Sequence, residues 1–359
     1  MYTRNKEIIA MYPDLLKAFK IMQSQKKIYQ PTSFWEKASI EITNDIQKNG
    51  LHQFRNLNST LSFFVPTYGV PTNGYSKIQV KKLIDLLKSG FPKNVKSHQA
   101  LKFYLTGEQH ALSDYRVLIA SDNKEKLPHL HHFSESKVGN PIGQFNFNKK
   151  FFSRSSLNYL LGLSLLKKYL KNYEISTVLE IGGGFGSLGE ILSYSNIENI
   201  KYINIDIPPT HFIAEYYLKQ IFGKDKITNA IDTFNTEKIL INNLKKFSVL
   251  CSWQIEKLYG KVDLFVNFIS FQEMEPDVVE NYLNHIKRLD TNWILLRNIR
   301  EGKQIKTQSS YGVKDPIKTQ DYINMLSEYD LIETNVHPFG YQTVDGFHSE
   351  LILLKKKSL

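Results

Sequence analysis

The chain of 359 residues has a single cysteine, Cys251. One thiol makes no internal disulfide and no cysteine-based zinc site. That usage suits a reducing, intracellular compartment. No run of about 18 apolar residues occurs, so no membrane-spanning helix is expected. The opening stretch MYTRNKEIIAMYPDLLKAFK puts charge into every turn and lacks the apolar centre of a secretory leader. A cytoplasmic address is the expectation. Internal repeats and low-complexity tracts are missing, and the composition excludes a collagen-like, disulfide-stapled or wholly disordered chain.

What is present is basic and ordinarily apolar. Lys and Arg number 46 against 35 Asp and Glu, a net charge of +11, with 42% hydrophobic residues. The positive charge is dispersed in short clusters such as Lys81-Lys82, Lys149-Lys150 and Lys355-Lys356-Lys357. Dispersal argues against a nucleic-acid partner, which needs a concentrated face. An anionic substrate or loose contact with an acidic membrane surface fits the charge equally well. The length suits two domains, or one large domain with an extension.

The spacing of apolar residues predicts helices over 5–28, 34–48, 77–89 and within 96–120. Residues 60–75, with two Pro and two Gly, and the polar stretch 121–150 read as loops. After residue 155 the pattern changes. A helix over 155–172 is followed by strand runs at 177–181, 201–206, 247–251, 262–268 and 292–297. Helical patterns fill 186–195, 209–222, 235–245 and 276–289. Such alternation implies parallel βαβ units. Two last strands, 331–337 and 347–355, are joined by too few residues for a helical crossover, so they predict an antiparallel pair at the sheet edge. The expected division is a mainly helical region, 1–150, serving as lid, acceptor-binding or oligomerisation element, before an α/β domain, 151–359. A homo-oligomer is compatible with this division.

The sharpest feature is Val178-Leu179-Glu180-Ile181-Gly182-Gly183-Gly184-Phe185-Gly186-Ser187-Leu188-Gly189. A buried strand runs into a glycine turn and then a helix. Absent side chains let backbone approach a ligand, and the helix N-terminus offers unpaired N–H groups. Gly184 to Gly189 spells the dinucleotide pattern G-x-G-x-x-G. The other frame, Glu180-x-Gly182-x-Gly184-x-Gly186, resembles the first motif of class I S-adenosylmethionine (SAM)-dependent methyltransferases. An acid at the strand mouth can orient the turn or a cationic ligand end, and it repels a pyrophosphate. Asp206, at the end of the next strand, can accept ribose hydroxyls in either frame. The antiparallel end favours the second frame, since that superfamily has a seven-stranded Rossmann-like sheet whose last strand is antiparallel.

Longer stretches are similar to a sugar O-methyltransferase family of bacterial polysaccharide and glycosylated-product biosynthesis. They are SESKVGNPIGQF (134–145), FSRSSLNYLLGL (152–163), VLEIGGGFGSLGEIL (178–192), INIDIPP (203–209), SFQEMEP (270–276) and PFGYQTVDGFHSELILLKK (338–356). The resemblance implies methyl transfer from SAM, leaving S-adenosylhomocysteine, to a sugar hydroxyl of a nucleotide sugar, glycan or glycoconjugate. Other acceptors (a small molecule, lipid or RNA) and a non-enzymatic Rossmann-like module are the alternatives. Where that family carries His-Glu-Met, this chain has Gln272-Glu273-Met274, so no histidine role transfers to position 272.

Ligands of open α/β sheets lie past the carboxyl ends of the strands. The cofactor candidates are therefore Glu180, Gly182, Gly184, Gly186, Asp206 and Ile207, then Ser252, Trp253 and Gln254. Arg154 is a candidate clamp for the methionine carboxylate. For the acceptor, Glu273, His348 and His110 are candidate bases. Asn140, Gln272 and Tyr311 are candidate substrate contacts. Glu273, Glu275 and Asp277 have the oxygens for Mg²⁺, but helix-start acids need no metal, and none is favoured.

Overall fold

The computed structural model describes residues 12–69, 77–90, 95–171, 174–307, 312–343 and 345–358. The N-terminal part is helical: α1 (Pro13–Gln23), α2 (Trp35–Asn49), α3 (Asn58–Phe63), α4 (Lys77–Gly90), α5 (Val95–Leu105) and α6 (Glu108–Ser121). A hairpin, β1 (Gln144–Phe147) and β2 (Lys150–Ser153), leads into α7 (Arg154–Lys167). The α/β part runs β3 (Thr177–Ile181), α8 (Ser187–Ser193), β4 (Lys201–Asp206), α9 (Thr210–Phe222), β5 (Ile227–Thr228), β6 (Ile239–Leu240), β7 (Phe247–Cys251), β8 (Leu258–Tyr259), β9 (Leu264–Phe268), α10 (Pro276–Arg288), β10 (Trp293–Ile299), α11 (Thr319–Met325), β11 (Tyr329–Asn335), β12 (Tyr341–Gln342) and β13 (His348–Lys356).

The large sheet has the order β11-β13-β10-β9-β3-β4-β7-β5, with the short β12 on β13. From β3 the chain steps outward through β4 to β7. It then returns to the other side of β3 as β9. The reversal leaves a crevice above the carboxyl ends of β3, β4 and β9, the usual ligand position in such sheets. β13 slots antiparallel between β10 and β11, so the expected terminal pair is present at the edge. The fold is thus the expected α/β architecture, a mostly parallel sheet with an antiparallel last strand behind a helical N-terminal region.

Local sequence explains the elements that frame the crevice. Central strands β3, β4, β7 and β9 are covered on both faces, which is why they read as continuous apolar runs rather than alternating ones. α7 starts in a capping box: the Ser153 hydroxyl accepts the Ser156 N–H, and the Ser156 hydroxyl accepts the Ser153 N–H. It is buried almost all round, from Ser155 to Lys167, which accounts for its broad apolar surface. α10 opens with Pro276 and Asp277 and ends with His285, Lys287 and Arg288, in keeping with its dipole.

Three expectations differ from the structure. Residues 235–245 are not helical but hold β6 and a single 3₁₀ turn at Ile241–Asn243. Their apolar residues fill the core as separate anchors, Ile239, Ile241 and Leu244, without a continuous helix to carry them. The stretch expected as loop from residue 60 begins inside α3. The polar region 121–150 contains β1, whose Phe147 packs on Tyr115 of α6, ring centroids 4.9 Å apart; the strand is carried by that stack rather than by its own composition.

Helices and sheet share one apolar core running from Leu15 to Leu354. An ion pair sits within it: Arg55 Nη2 lies 2.9 Å from Glu135 Oε1, with both side chains essentially inaccessible. The same guanidinium stands 5.1 Å over the ring of Phe185 in the glycine turn. The N-terminal helices are therefore built against the crevice itself.

Candidate active site

The glycine turn follows β3 without a break. Gly182, Gly184 and Gly186 all have left-handed φ (+66°, +58° and +88°), which side chains resist. Space is limiting too. A Cβ on Gly182 would collide with Ser270, and one on Gly183 would come 2.5 Å from Glu180 Oε2. Glu180 lies beneath the turn, fully buried, and accepts hydrogen bonds from the Tyr159 hydroxyl at 2.6 Å and the Tyr202 hydroxyl at 2.5 Å. Of its two expected roles the geometry assigns the supporting one: the carboxyl props the turn and does not face the crevice. Burial pushes it up to about 7, against the pull of its two tyrosines.

Asp206 closes β4 beside the turn. Its Oδ2 accepts the Gly184 N–H at 3.0 Å and its Oδ1 the Ile207 N–H at 2.8 Å. Burial raises it to about 8 despite these two bonds, and repulsion from Glu180 and Glu273 adds to the shift. Two neighbouring carboxyls thus stand high, and each resists ionising while the other is charged.

The crevice has two lobes that meet over Gly182 and Gly184. One is bounded by Asp206, Ile207, Ser252 and Tyr282 and roofed by Ile28 and Pro31. The other runs past Asn158, Tyr159 and Ile269 to Glu273, under Phe63 and Phe64. Trp35, Phe64 and Ser270 border both. Among the described lining residues none is Lys, Arg or His. The floor is acidic and the roof aromatic.

Glu273 ends the second lobe. Its Oε1 lies 2.6 Å from Lys303 Nζ, and its Oε2 accepts the Trp35 indole N–H at 3.1 Å. Its backbone carbonyl accepts the Thr32 hydroxyl at 2.9 Å. The carboxylate is nearly buried, oriented from two sides, and still borders the cavity. Just before it, Ile269 has φ +75°, a conformation a β-branched residue rarely adopts. Its N–H is held by the Arg297 carbonyl at 2.6 Å. Strain at this point turns the chain from β9 into the segment that presents Ser270 and Glu273.

With this geometry in view, the chain is similar to several solved methyltransferases. Magnesium protoporphyrin IX methyltransferase from Synechocystis PCC 6803, crystallised with SAM, aligns at 12% identity over 56% of this chain and 79% of that one, TM-score 0.36. A SAM-dependent methyltransferase from Aquifex aeolicus aligns at 16% identity over 56% and 93%, TM-score 0.34. The mitomycin 7-O-methyltransferase aligns at 11% identity over 96% and 72%, TM-score 0.35. No protein-family model matches the sequence, and no curated protein matches it. At identities and scores this low, the substrates of those enzymes do not carry over to this chain.

The other candidates divide. Ile207 and Ser252 border the crevice with Asp206; the Ser252 hydroxyl is already given to the Tyr29 carbonyl at 2.7 Å. Trp253 is buried against Phe234, ring centroids 5.9 Å apart, and is not among the lining residues. Gln254 is buried too. It accepts the Cys251 N–H and donates to Ala230 and Thr233, so its amide is spent on the local turn. Arg154 turns away from the crevice, donating to the Thr67 carbonyl at 3.0 Å and stacking 4.9 Å from the Tyr341 ring. Gln272 points into the protein, accepting the Ile299 N–H at 2.8 Å. Asn140 is exposed and donates to Gln53.

Neither histidine joins Glu273. His110 is exposed on α6, and His348 pairs with Glu301 at 2.6 Å at the start of β13. Both are outside the crevice lining. Tyr311 lies outside the described residues. The acids Glu273, Glu275 and Asp277 do not converge. Glu275 accepts the Lys314 and Asp315 N–H groups, and Asp277 is exposed. Among the described residues no three His, Cys, Asp or Glu side chains are grouped to hold a metal.

Sequence reasoning missed the roof and the partner of Glu273. Trp35 reads as one apolar position of an amphipathic helix, and Phe63-Phe64 as loop. Lys303 sits in a polar run with no motif. An indole N–H on an apolar face was the one available signal, because a buried Trp needs an acceptor.

Proposed function

We propose that the chain is a SAM-dependent methyltransferase that transfers a methyl group to a hydroxyl of a sugar-containing small molecule or glycan in the cytoplasm. The observation that carries this reading is the charge of the crevice. Asp206 and Glu273 border it, Glu180 lies beneath its glycine turn, and none of the described lining residues is cationic. Such a floor takes a cation, which draws Asp206 into its ionised form, and it offers a dinucleotide's pyrophosphate no cationic partner among the described lining residues. When bound, SAM supplies a methyl group on a positively charged sulfonium with a neutral leaving group.

The chain's own residues supply the rest. Asp206 presents its carboxylate to ribose hydroxyls, with Ile207 and Tyr282 as apolar walls beside it. Trp35, Phe63 and Phe64 exclude water above the turn. Glu273, fixed by Lys303 and Trp35, accepts the proton that the acceptor hydroxyl loses as the new O–C bond forms. The residues before 150 act as roof and acceptor side, and those after it as the SAM-binding domain. The sugar acceptor rests on the sequence resemblance.

Calorimetric titration of the purified chain with SAM, S-adenosylhomocysteine and NADH tests the reading. Binding of the first two alone is expected; binding of NADH alone would overturn it. Glu273→Gln is expected to keep SAM affinity and lose turnover. Unchanged turnover would remove Glu273 from the proton transfer.

A further inference from the structure

A second cavity lies on the far side of the segment that roofs the crevice. Phe63, Phe64 and Pro66 face the crevice, whereas Thr67 and Gly69 border this second space, which opens between α4 and α5. It measures about 840 Å³, within the size of small-molecule sites. Its lining combines two kinds of residue. Lys81 and Lys88 stand two turns apart on one face of α4; His98 and Lys102 stand one turn apart on α5. Asp85 is the one carboxylate among the described lining residues. Behind these groups Val80, Ile84, Leu105 and Ile142 form an apolar wall. The His98 Nε2 is shielded from solvent without a hydrogen-bond partner among the described residues, a cost that a ligand would relieve.

We infer that this cavity binds the phosphate end of an anionic amphiphile, with Lys81, Lys88, Lys102 and His98 on the phosphate and the apolar wall on the attached chain. Three lysines against one carboxylate in a depression concentrate anions. Lysines alone would serve any phosphate; the apolar wall adds affinity in proportion to the hydrocarbon it removes from water. The site is separate from the methyl-transfer crevice, and its test reads binding rather than turnover, so either can fail alone.

The probe is decyl phosphate below its micelle concentration, titrated calorimetrically into the full chain, with inorganic phosphate and decanol as separate arms. Decyl phosphate is expected to bind at least about tenfold more tightly than either, an advantage that shrinks with added salt. Lys88→Glu and Lys102→Glu should each weaken it about tenfold. Ile84→Ser should weaken decyl phosphate while leaving inorganic phosphate unchanged. Lys82→Gln, on α4 but outside the lining, should weaken it less than about twofold. Circular dichroism confirms folding, and Lys102→Gln replaces any charge reversal that fails to fold. Equal affinity for inorganic phosphate would overturn the amphiphile. So would binding to phosphatidylglycerol vesicles without binding of monomeric decyl phosphate, which would make the feature a surface attachment. Affinity unaffected by Lys88→Glu and Lys102→Glu would dismiss the cavity.

Discussion

At the residue scale, the governing fact is that acids near the crevice are held partly protonated. Asp206 stands at about 8 and Glu180 at about 7, both through burial. A cationic ligand favours the ionised form of each. SAM affinity is therefore expected to rise as pH goes from about 6 to about 8, with protons released on binding. Titrations in buffers of different ionisation enthalpy measure that release. Asp206→Asn should abolish most of it and weaken SAM by roughly 1–3 kcal/mol, the worth of a lost charged hydrogen-bond acceptor. A pH-independent affinity in the unaltered chain would mean the carboxyls do not see the ligand. Trp35→Phe tests the support of Glu273 from the other side. A smaller aromatic ring remains, the 3.1 Å indole bond is lost, and turnover should fall by a larger factor than SAM affinity, since Trp35 borders both lobes.

At the scale of elements, the glycine turn is the piece most open to dissection. Gly182→Ala carries two penalties, a left-handed φ and a collision with Ser270. The φ penalty is about 1 kcal/mol; the collision should account for most of a larger loss of SAM binding. Ser270→Gly removes the colliding atoms, so the double variant should recover binding that Gly182→Ala alone loses. No recovery would place the defect in the backbone. The turn was legible in the sequence because it is local: a strand, four glycines and a helix lie within a dozen residues. Asp206 was legible for the same reason, at the end of the next apolar run. Trp253, Gln254, Gln272 and Arg154 stood at the correct strand ends or helix start, yet their side chains turn elsewhere. Position along the chain fixes which end of the sheet a residue reaches, but not which neighbour captures its polar atoms. Gln254, for instance, is drawn to Thr233 at 2.8 Å. The roof was illegible because Trp35 and Glu273 meet across 238 residues, and no spacing rule connects them.

At the scale of the whole molecule, one apolar core joins the N-terminal helices to the sheet, and the buried Arg55–Glu135 pair ties two segments of the N-terminal region together within it. Arg55→Met strands Glu135 without a counter-charge, and a loss of about 3–5 kcal/mol is expected in urea unfolding. Adding Glu135→Leu should restore part of it, since the pair together contributes less than the cost of breaking it. The protein should also lose stability as pH rises from about 5 to about 8 without ligand. Glu180 and Glu190, each near 7, and Asp206, near 8, lie above their unfolded values. In that window the folded chain keeps protons that the unfolded chain has released, so the slope is negative. SAM should flatten it, and urea midpoints across the range with and without SAM measure both.

The placement of β13 has a consequence for synthesis. β11 is made first but pairs in the large sheet only with β13, and β10 presents an open edge until β13 fills it. Until β13 has emerged from the ribosome the sheet cannot close. A nascent or prematurely terminated chain carries the glycine turn and its acids complete, beside an unpaired apolar strand edge that other chains can join. Stop codons placed before residue 348 should therefore yield aggregates rather than weakly active soluble fragments.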